Sequence, residues 1–307
     1  YNEMQKALYN AAGHNFKILG ADNITRSCTE VTKDSISSVL ENLDTDIIYM
    51  DPARRGEGGR KVFLIEECTP DVLTLKDEIF KKVRHILIKL SPMADIKMVC
   101  ERLGNTCREV HVVATGGECK ELLIWMDREW HGEYSITAVE ISRLASLARN
   151  DSIATLSSKD TPLSSRDTLL SSQATLLSSR AQSRDLFLFE PGKALMKAGF
   201  FDLIRDYFGI EKMGVSTHYY LTDDESKVED LKKFGKVYSI ISIQPLDKRT
   251  IKTAGKEYPH SEVTARNIPM DTETLRKKLG VTSGDDAHIF GLKSDKAGNL
   301  LIITARA

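Results

Sequence analysis

The chain has 307 residues, 41% hydrophobic and 28% charged, with a formal net charge of −1 at pH 7. No apolar run approaches the ~20 residues of a membrane span, and Tyr1–Lys6 show neither a basic start nor the apolar stretch of an export signal. A near-neutral chain exerts no global pull on nucleic acid, so such a partner has to be met by a local patch. The five cysteines (Cys28, Cys68, Cys100, Cys107, Cys119) are odd in number and never spaced as CxxC, which argues against a disulfide framework or zinc site and fits a reducing cytosol. The seven histidines show no HxxxH spacing, so core or surface roles are expected for them and no metal is called for.

In chain order, Met4–Leu19 reads as a helix, with Leu8, Ala11, Ala12, Phe16 and Leu19 near helical spacing and Gly20 behind them. A short strand follows at Ile24-Thr25-Arg26, then a helix near Ser35–Leu43 and the apolar burst Ile47-Ile48-Tyr49-Met50, which runs into Asp51-Pro52. A buried-type strand, His85–Leu90, leads to Ser91-Pro92 and a helix ending near Leu103. Val110–Ala114 and Leu122–Met126 then read as a hairpin across Gly116-Gly117. Alternating strands and helices followed by adjoining strands predict a doubly wound parallel sheet closed by an antiparallel pair.

Leu-Ser-Ser recurs at 156, 163, 170 and 177, a seven-residue period with only one reliably apolar position per repeat. A two-helix seam needs two, and serine is a poor helix-interior residue, so a solvated linker is expected over 151–184, with a weak oligomerisation strip as the alternative. Beyond it, Gly192–Phe208 reads as one amphipathic helix. Strands near Val237–Ile243, Val263–Ala265, Ala287–Leu292 and Leu300–Thr304 alternate with helices near Asp247–Thr253 and Asp271–Leu279, which makes a second, smaller α/β unit.

Asp51-Pro52-Ala53-Arg54-Arg55-Gly56 stands directly after an apolar strand, where ligands of open α/β sheets bind. The carboxylate and consecutive carbonyls there are acceptors, and two adjacent arginines are phosphate clamps; the competing account is an ordinary strand-ending turn with solvated arginines. The segment resembles the fourth motif of class I methyltransferases, and longer stretches resemble the group among them that carries a C-terminal THUMP-like domain. The resemblance runs through Asp46–Arg55, Ile88–Asp95 and His111–Ala114, and resumes at Phe189–Gly199, Thr217–Tyr220 and Ala265–Pro269.

That resemblance implies a partial Rossmann-like class I methyltransferase sheet over 1–150 and the linker at 151–184. It further implies a ferredoxin-like segment at 185–235 and a THUMP-like domain at 236–307. The expected cofactor is S-adenosylmethionine, with Glu3 on the ribose, Cys28 in the region bordering the adenine, and Asp51 beside the donor. The Ser27-Cys28-Thr29 stretch lacks the acid often found there. The first strand and glycine-rich loop that the resemblance implies ahead of Glu3 are not in this sequence, and neither Gly56–Gly59 nor Gly116-Gly117 follows the strand that would replace them. The competing role for Glu3 is that of a helix-start acid facing the macrodipole.

Asp51 and Pro52 form the candidate catalytic pair. The aromatic that follows Asp-Pro in many N-methyltransferases is replaced by Ala53-Arg54, and the thiolate needed for uracil C5 methylation is replaced by Ser91-Pro92. Direct transfer to a nitrogen or oxygen is therefore expected, with Asp51 orienting or deprotonating the acceptor. Lys89 and Asp95 are expected to pair beside the cleft. In the second unit Lys232, Lys233, Lys236, Lys248, Arg249, Lys252, Lys256, Arg266, Arg276, Lys277 and Lys278 outnumber the acids, forming either a phosphate-binding patch or a solvated surface. The expected substrate is tRNA or rRNA in the cytoplasm, held by Arg54, Arg55, Lys248, Arg249, Arg266, Arg276 and Lys277. The rival is a non-catalytic RNA-binding protein built on a methyltransferase scaffold.

Overall fold

The structure is a computed structural model and describes residues 1–41, 43–53, 64–142, 152–160 and 185–306. Contacts divide the chain into two compact units, Tyr1–His111 with Lys120–Ile136, and Val112–Cys119 with Thr137–Ala307.

In the first unit, α1 (Lys6–Ile18) and α2 (Ile36–Leu40) precede β1 (Ile47–Met50), α3 (Val72–Phe80), β2 (His85–Leu90) and α4 (Ile96–Leu103), followed by β3 (Cys107–Thr115) and β4 (Glu118–Asp127), whose adjoining ends at Val112–Cys119 count with the second unit. β1 and β2 are parallel, with Met50 opposite Ile88, and β2 and β4 are antiparallel, with Ile88 opposite Ile124. This is the expected parallel pairing followed by an antiparallel closing strand. Along β2 the side chains alternate, so that Ile86, Ile88 and Leu90 are buried while His85, Leu87 and Lys89 are half-buried. The helices of the unit add Val72, Leu75, Ile79 and Phe80 of α3 and Ile96, Val99, Cys100 and Leu103 of α4 to the core. β3 and β4 are joined by Gly116 and Gly117 at φ +61° and +77°, a backbone that glycine adopts without a Cβ penalty.

Three details differ from the sequence expectation. No strand forms at 24–26; instead Asn2 and Ser27 make an isolated parallel bridge, with Tyr1 and Glu3 hydrogen-bonded on either side of it. The α3 helix was not anticipated, although Asp71 caps it by accepting from the Leu73 and Thr74 N–H groups. α1 buries none of its residues, despite the apolar spacing along it.

The second unit holds β5 (Ser135–Ser142), which begins at the division between units, β6 (Ser152–Ser157), β7 (Phe187–Pro191), α5 (Lys193–Ala198), α6 (Phe201–Phe208), β8 (Glu211–Lys212), β9 (Tyr220–Thr222) and α7 (Val228–Phe234). The chain then runs through β10 (Gly235–Pro245), α8 (Lys248–Glu257), β11 (His260–Arg266), α9 (Thr272–Leu279), β12 (Thr282–Ser294) and β13 (Gly298–Arg306). Seven strands form one sheet in the order β11-β12-β13-β10-β7-β9-β8, so the segments expected as ferredoxin-like and THUMP-like share a sheet through the β7–β10 pairing. On one face Ile251, Ala254, Leu275 and Leu279 of α8 and α9 meet Ile289, Leu301 and Ile303; a second cluster gathers Leu188, Tyr219, Leu221, Tyr238, Phe290 and Ile302.

The expected single helix over 192–208 is two. Gly199, at φ +73°, closes α5 in the left-handed conformation that ends helices, and α6 starts afresh. β6 lies inside the stretch expected as linker and pairs antiparallel with β5, so the first Leu-Ser-Ser is strand and strand end. Its later copies, from 161 to 184, lie outside the described residues. β5 is tied into the second unit by Glu140, whose Oε1 accepts the Ala194 N–H at 2.7 Å at the start of α5.

Candidate functional site

Two groups of expected site residues come together in the first unit. At the chain start, Tyr1–Glu3 run beside Thr25–Thr29: the Ser27 N–H donates to Tyr1 O at 2.9 Å, and the Glu3 N–H donates to Ser27 O at 3.2 Å. Asn2 fixes this short ladder from both sides, because its Oδ1 accepts from Ser27 Oγ and the Thr29 N–H while its Nδ2 donates to Thr29 O. Glu3 and Cys28 are thereby neighbours. Glu3 Oε1 accepts the Gln5 N–H at 2.8 Å, a local turn just ahead of α1, whose first turn carries no acid and no side-chain cap. The exposed Cys28 thiol donates to Met4 O at 3.8 Å.

The second group is at the end of β1. The β1–β2 register carries Asp51 and Lys89 past the paired Met50 and Ile88, and Lys89 Nζ lies 2.5 Å from Asp51 Oδ2. Both groups reach solvent, with side chains 51% and 32% exposed, so this is a charged pair at a surface and not a core lock. The hydrogen bond to Asp51 raises the Lys89 pKa above the ordinary lysine value against the opposing effect of partial burial. Tyr49, exposed on β1, has its phenol raised by burial and then by the Asp51 charge, with Glu121 contributing in the same direction. Tyr49, Asp51, Lys89 and Glu121 thus form one electrostatic cluster.

The expected Lys89–Asp95 pair does not form. Asp95 instead caps α4, accepting the Met98 N–H at 2.8 Å, because a carboxylate at that position satisfies an orphan helix donor. Pro52 is buried. The carbonyls after Asp51 are less available than expected, since Ala53 exchanges both backbone hydrogen bonds with Thr69. Arg54 and Arg55 lie outside the described residues.

In the second unit Lys248 and Arg249 open α8, Arg266 ends β11 and Lys277 lies on α9, all exposed. Arg276 is held instead by Glu262, 3.5 Å away, and is half-buried. Sequence reading also missed Glu190, on which the motif segments of this unit converge. Its two oxygens accept from Tyr219 Oη at 3.0 Å and Tyr238 Oη at 3.1 Å, and burial together with that carboxylate pushes the Tyr219 phenol far up. Asn267 adds a bond from its Nδ2 to Thr217 Oγ1 at 3.1 Å. Among the described residues no His, Cys, Asp and Glu cluster could hold a metal ion, and no helix is long and apolar enough to cross a membrane.

Comparisons with known proteins agree with this architecture. Residues 235–306 match the family model described as THUMP domain-like, and residues 187–228 match a ferredoxin-like domain model. A crystal structure described as a "putative methyltransferase" from Porphyromonas gingivalis W83 superposes with a TM-score of 0.76 at 24% identity, over 100% of this chain and 71% of that one. At that identity the likeness establishes the fold, a mixed α/β architecture shared along the whole chain. No curated protein matches the chain.

Proposed function

We propose that the protein is an S-adenosylmethionine-dependent methyltransferase that modifies RNA, tRNA or rRNA, by direct transfer to a nitrogen or oxygen atom. The observation that carries the reading is Asp51, presented in solvent contact at the carboxyl end of a parallel strand and steadied by Lys89. The fold shared with the Porphyromonas protein and the THUMP domain-like match at 235–306 support it.

The residues fit the cofactor on its ribose side. Glu3 Oε1 is committed to the Gln5 N–H, and Oε2 is left as an acceptor for vicinal hydroxyls, beside Cys28. Bound there, S-adenosylmethionine supplies an electrophilic methyl group. Asp51 Oδ2 takes the Lys89 ammonium and Oδ1 is left to accept an N–H or O–H of the acceptor, so the pair aligns the nucleophile and draws its proton toward the carboxylate. The five cysteines, odd in number and never spaced as CxxC, support a reducing, cytoplasmic setting.

The second reading, an RNA-binding protein without catalysis, draws on one observation: the THUMP domain-like match at 235–306 supports RNA binding by itself. Methyl transfer from labelled S-adenosylmethionine to cellular RNA tests the choice. Label in RNA that disappears in Asp51→Ala supports the enzyme, and cofactor-independent RNA binding with no label supports the second reading.

A further inference from the structure

The cations of the second unit divide by what they touch. Lys232 and Lys233 of α7 are neutralised by Glu229 and Asp230 at 2.8 and 2.7 Å, Arg276 of α9 by Glu262, and Lys296 by Glu211 at 2.8 Å. The ten-residue helix α8 is different. Lys248, Arg249, Lys252 and Lys256 are exposed and make no ion pair with a described residue.

Their arrangement follows from how α8 packs. Ile251, Ala254 and Gly255 face inward, and Gly255 is required because a Cβ there would meet the Leu279 carbonyl of α9. Lys248, Lys252 and Lys256 recur every four residues, which at ~1.5 Å per residue sets them in a row about 12 Å long on one side of the helix. Cations at helix C-termini are favoured by the macrodipole, and that alone accounts for Lys256 and for Arg276, Lys277 and Lys278 of α9. It does not account for Lys248 and Arg249, which occupy the first two positions of α8, where the dipole opposes them. The backbone donors there are spent locally: Asp247 accepts the Arg249 and Thr250 N–H groups, and Thr250 Oγ1 closes the capping box. An anion drawn to this helix therefore meets a row of side chains.

Among the described residues, α8 and α9 also offer little of what single-stranded RNA uses. Unstacked bases bind on exposed rings, yet the large exposed apolar side chains described in this unit are Ile153, Val215 and Ile241, and α8 and α9 carry no aromatic residue. A base-paired stem keeps its bases stacked and offers phosphates and 2′-hydroxyls, the chemistry that a lysine row matches.

We propose that the exposed side of α8, carrying Lys248, Arg249, Lys252 and Lys256, docks the phosphate backbone of a base-paired RNA stem; this rests on the RNA reading above. The test is fluorescence anisotropy of a labelled RNA duplex and of one of its strands alone, titrated at several salt concentrations. Wild type is expected to prefer the duplex, and the triple variant K248Q/K252Q/K256Q to lower the salt slope by about three units, with K248R/K252R/K256R retaining it. The ion-paired K232Q/K233Q is expected to leave the slope unchanged. Absence of RNA binding by wild type would remove the RNA reading itself. Binding with an unchanged slope in the glutamine variant, or an equal fall in K232Q/K233Q, would overturn α8 as the surface while that reading stands. Preference for the single strand would overturn the stem.

Discussion

Lys89 Nζ meets Asp51 Oδ2 at 2.5 Å because both residues lie one step beyond the Met50–Ile88 pair of two parallel strands. The pair is partly exposed, so its worth to stability is small and its position is what matters. Asp51→Ala is expected to change stability by less than about 1 kcal/mol, as for other exposed ion pairs, while lowering methyl transfer by about 100-fold or more, the scale of a lost acid–base or orienting group. Melting curves and kcat/KM on the same preparations check this. A large loss of stability with activity retained would make the pair structural. Lys89→Met is expected to lower activity less, with Lys89→Arg restoring part of it.

Glu140 gives a pH signature with a definite sign. Burial raises its pKa above the ordinary carboxylate value, and the Ala194 and Leu195 N–H groups offset only part of that. A raised folded-state pKa contributes stability that is complete below the unfolded value and is lost as pH rises through the folded one. Wild type should therefore lose stability relative to Glu140→Gln as pH rises from about 4.3, the usual glutamate value. Urea midpoints measured across that range decide it, and parallel curves for the two proteins would refute the assignment.

Gly255 tests the packing that presents α8. A Cβ at this position meets the backbone carbonyl of Leu279, which cannot swing aside as a side chain does. Gly255→Ala is expected to cost roughly 1–3 kcal/mol, the usual range for overpacking, read as a lower melting temperature. An unchanged melting temperature would mean that α8 and α9 do not approach as described.

The strand Ile47–Met50 was legible as an unbroken apolar run and His85–Leu90 from Ile86, Leu87, Ile88 and Leu90, and the hairpin because Gly116-Gly117 separates two largely apolar stretches. α8 was expected near Asp247–Thr253 and runs on to Glu257. α3 was not anticipated although Val72, Leu75 and Ile79 keep helical spacing behind Asp71, because its apolar stripe spans only nine residues. β6 was hidden because its Leu156-Ser157 also begins the serine repeat. The Asp51–Lys89 pair could not be read from the chain, because it depends on the register of β1 against β2, and register is a property of two strands together. Nor could sequence say which cations were free: Arg276 and Lys248 look alike until Glu262 is found beside one of them.

Cofactor binding tests the central claim. In the proposed site Glu3 holds the ribose side, where charge-assisted hydrogen bonds contribute about 1.5–3 kcal/mol net. Titration calorimetry of S-adenosylmethionine is therefore made on this chain and on its Glu3→Ala variant. The account expects binding that Glu3→Ala weakens about tenfold or more. No binding, or binding indifferent to Glu3, would contradict it.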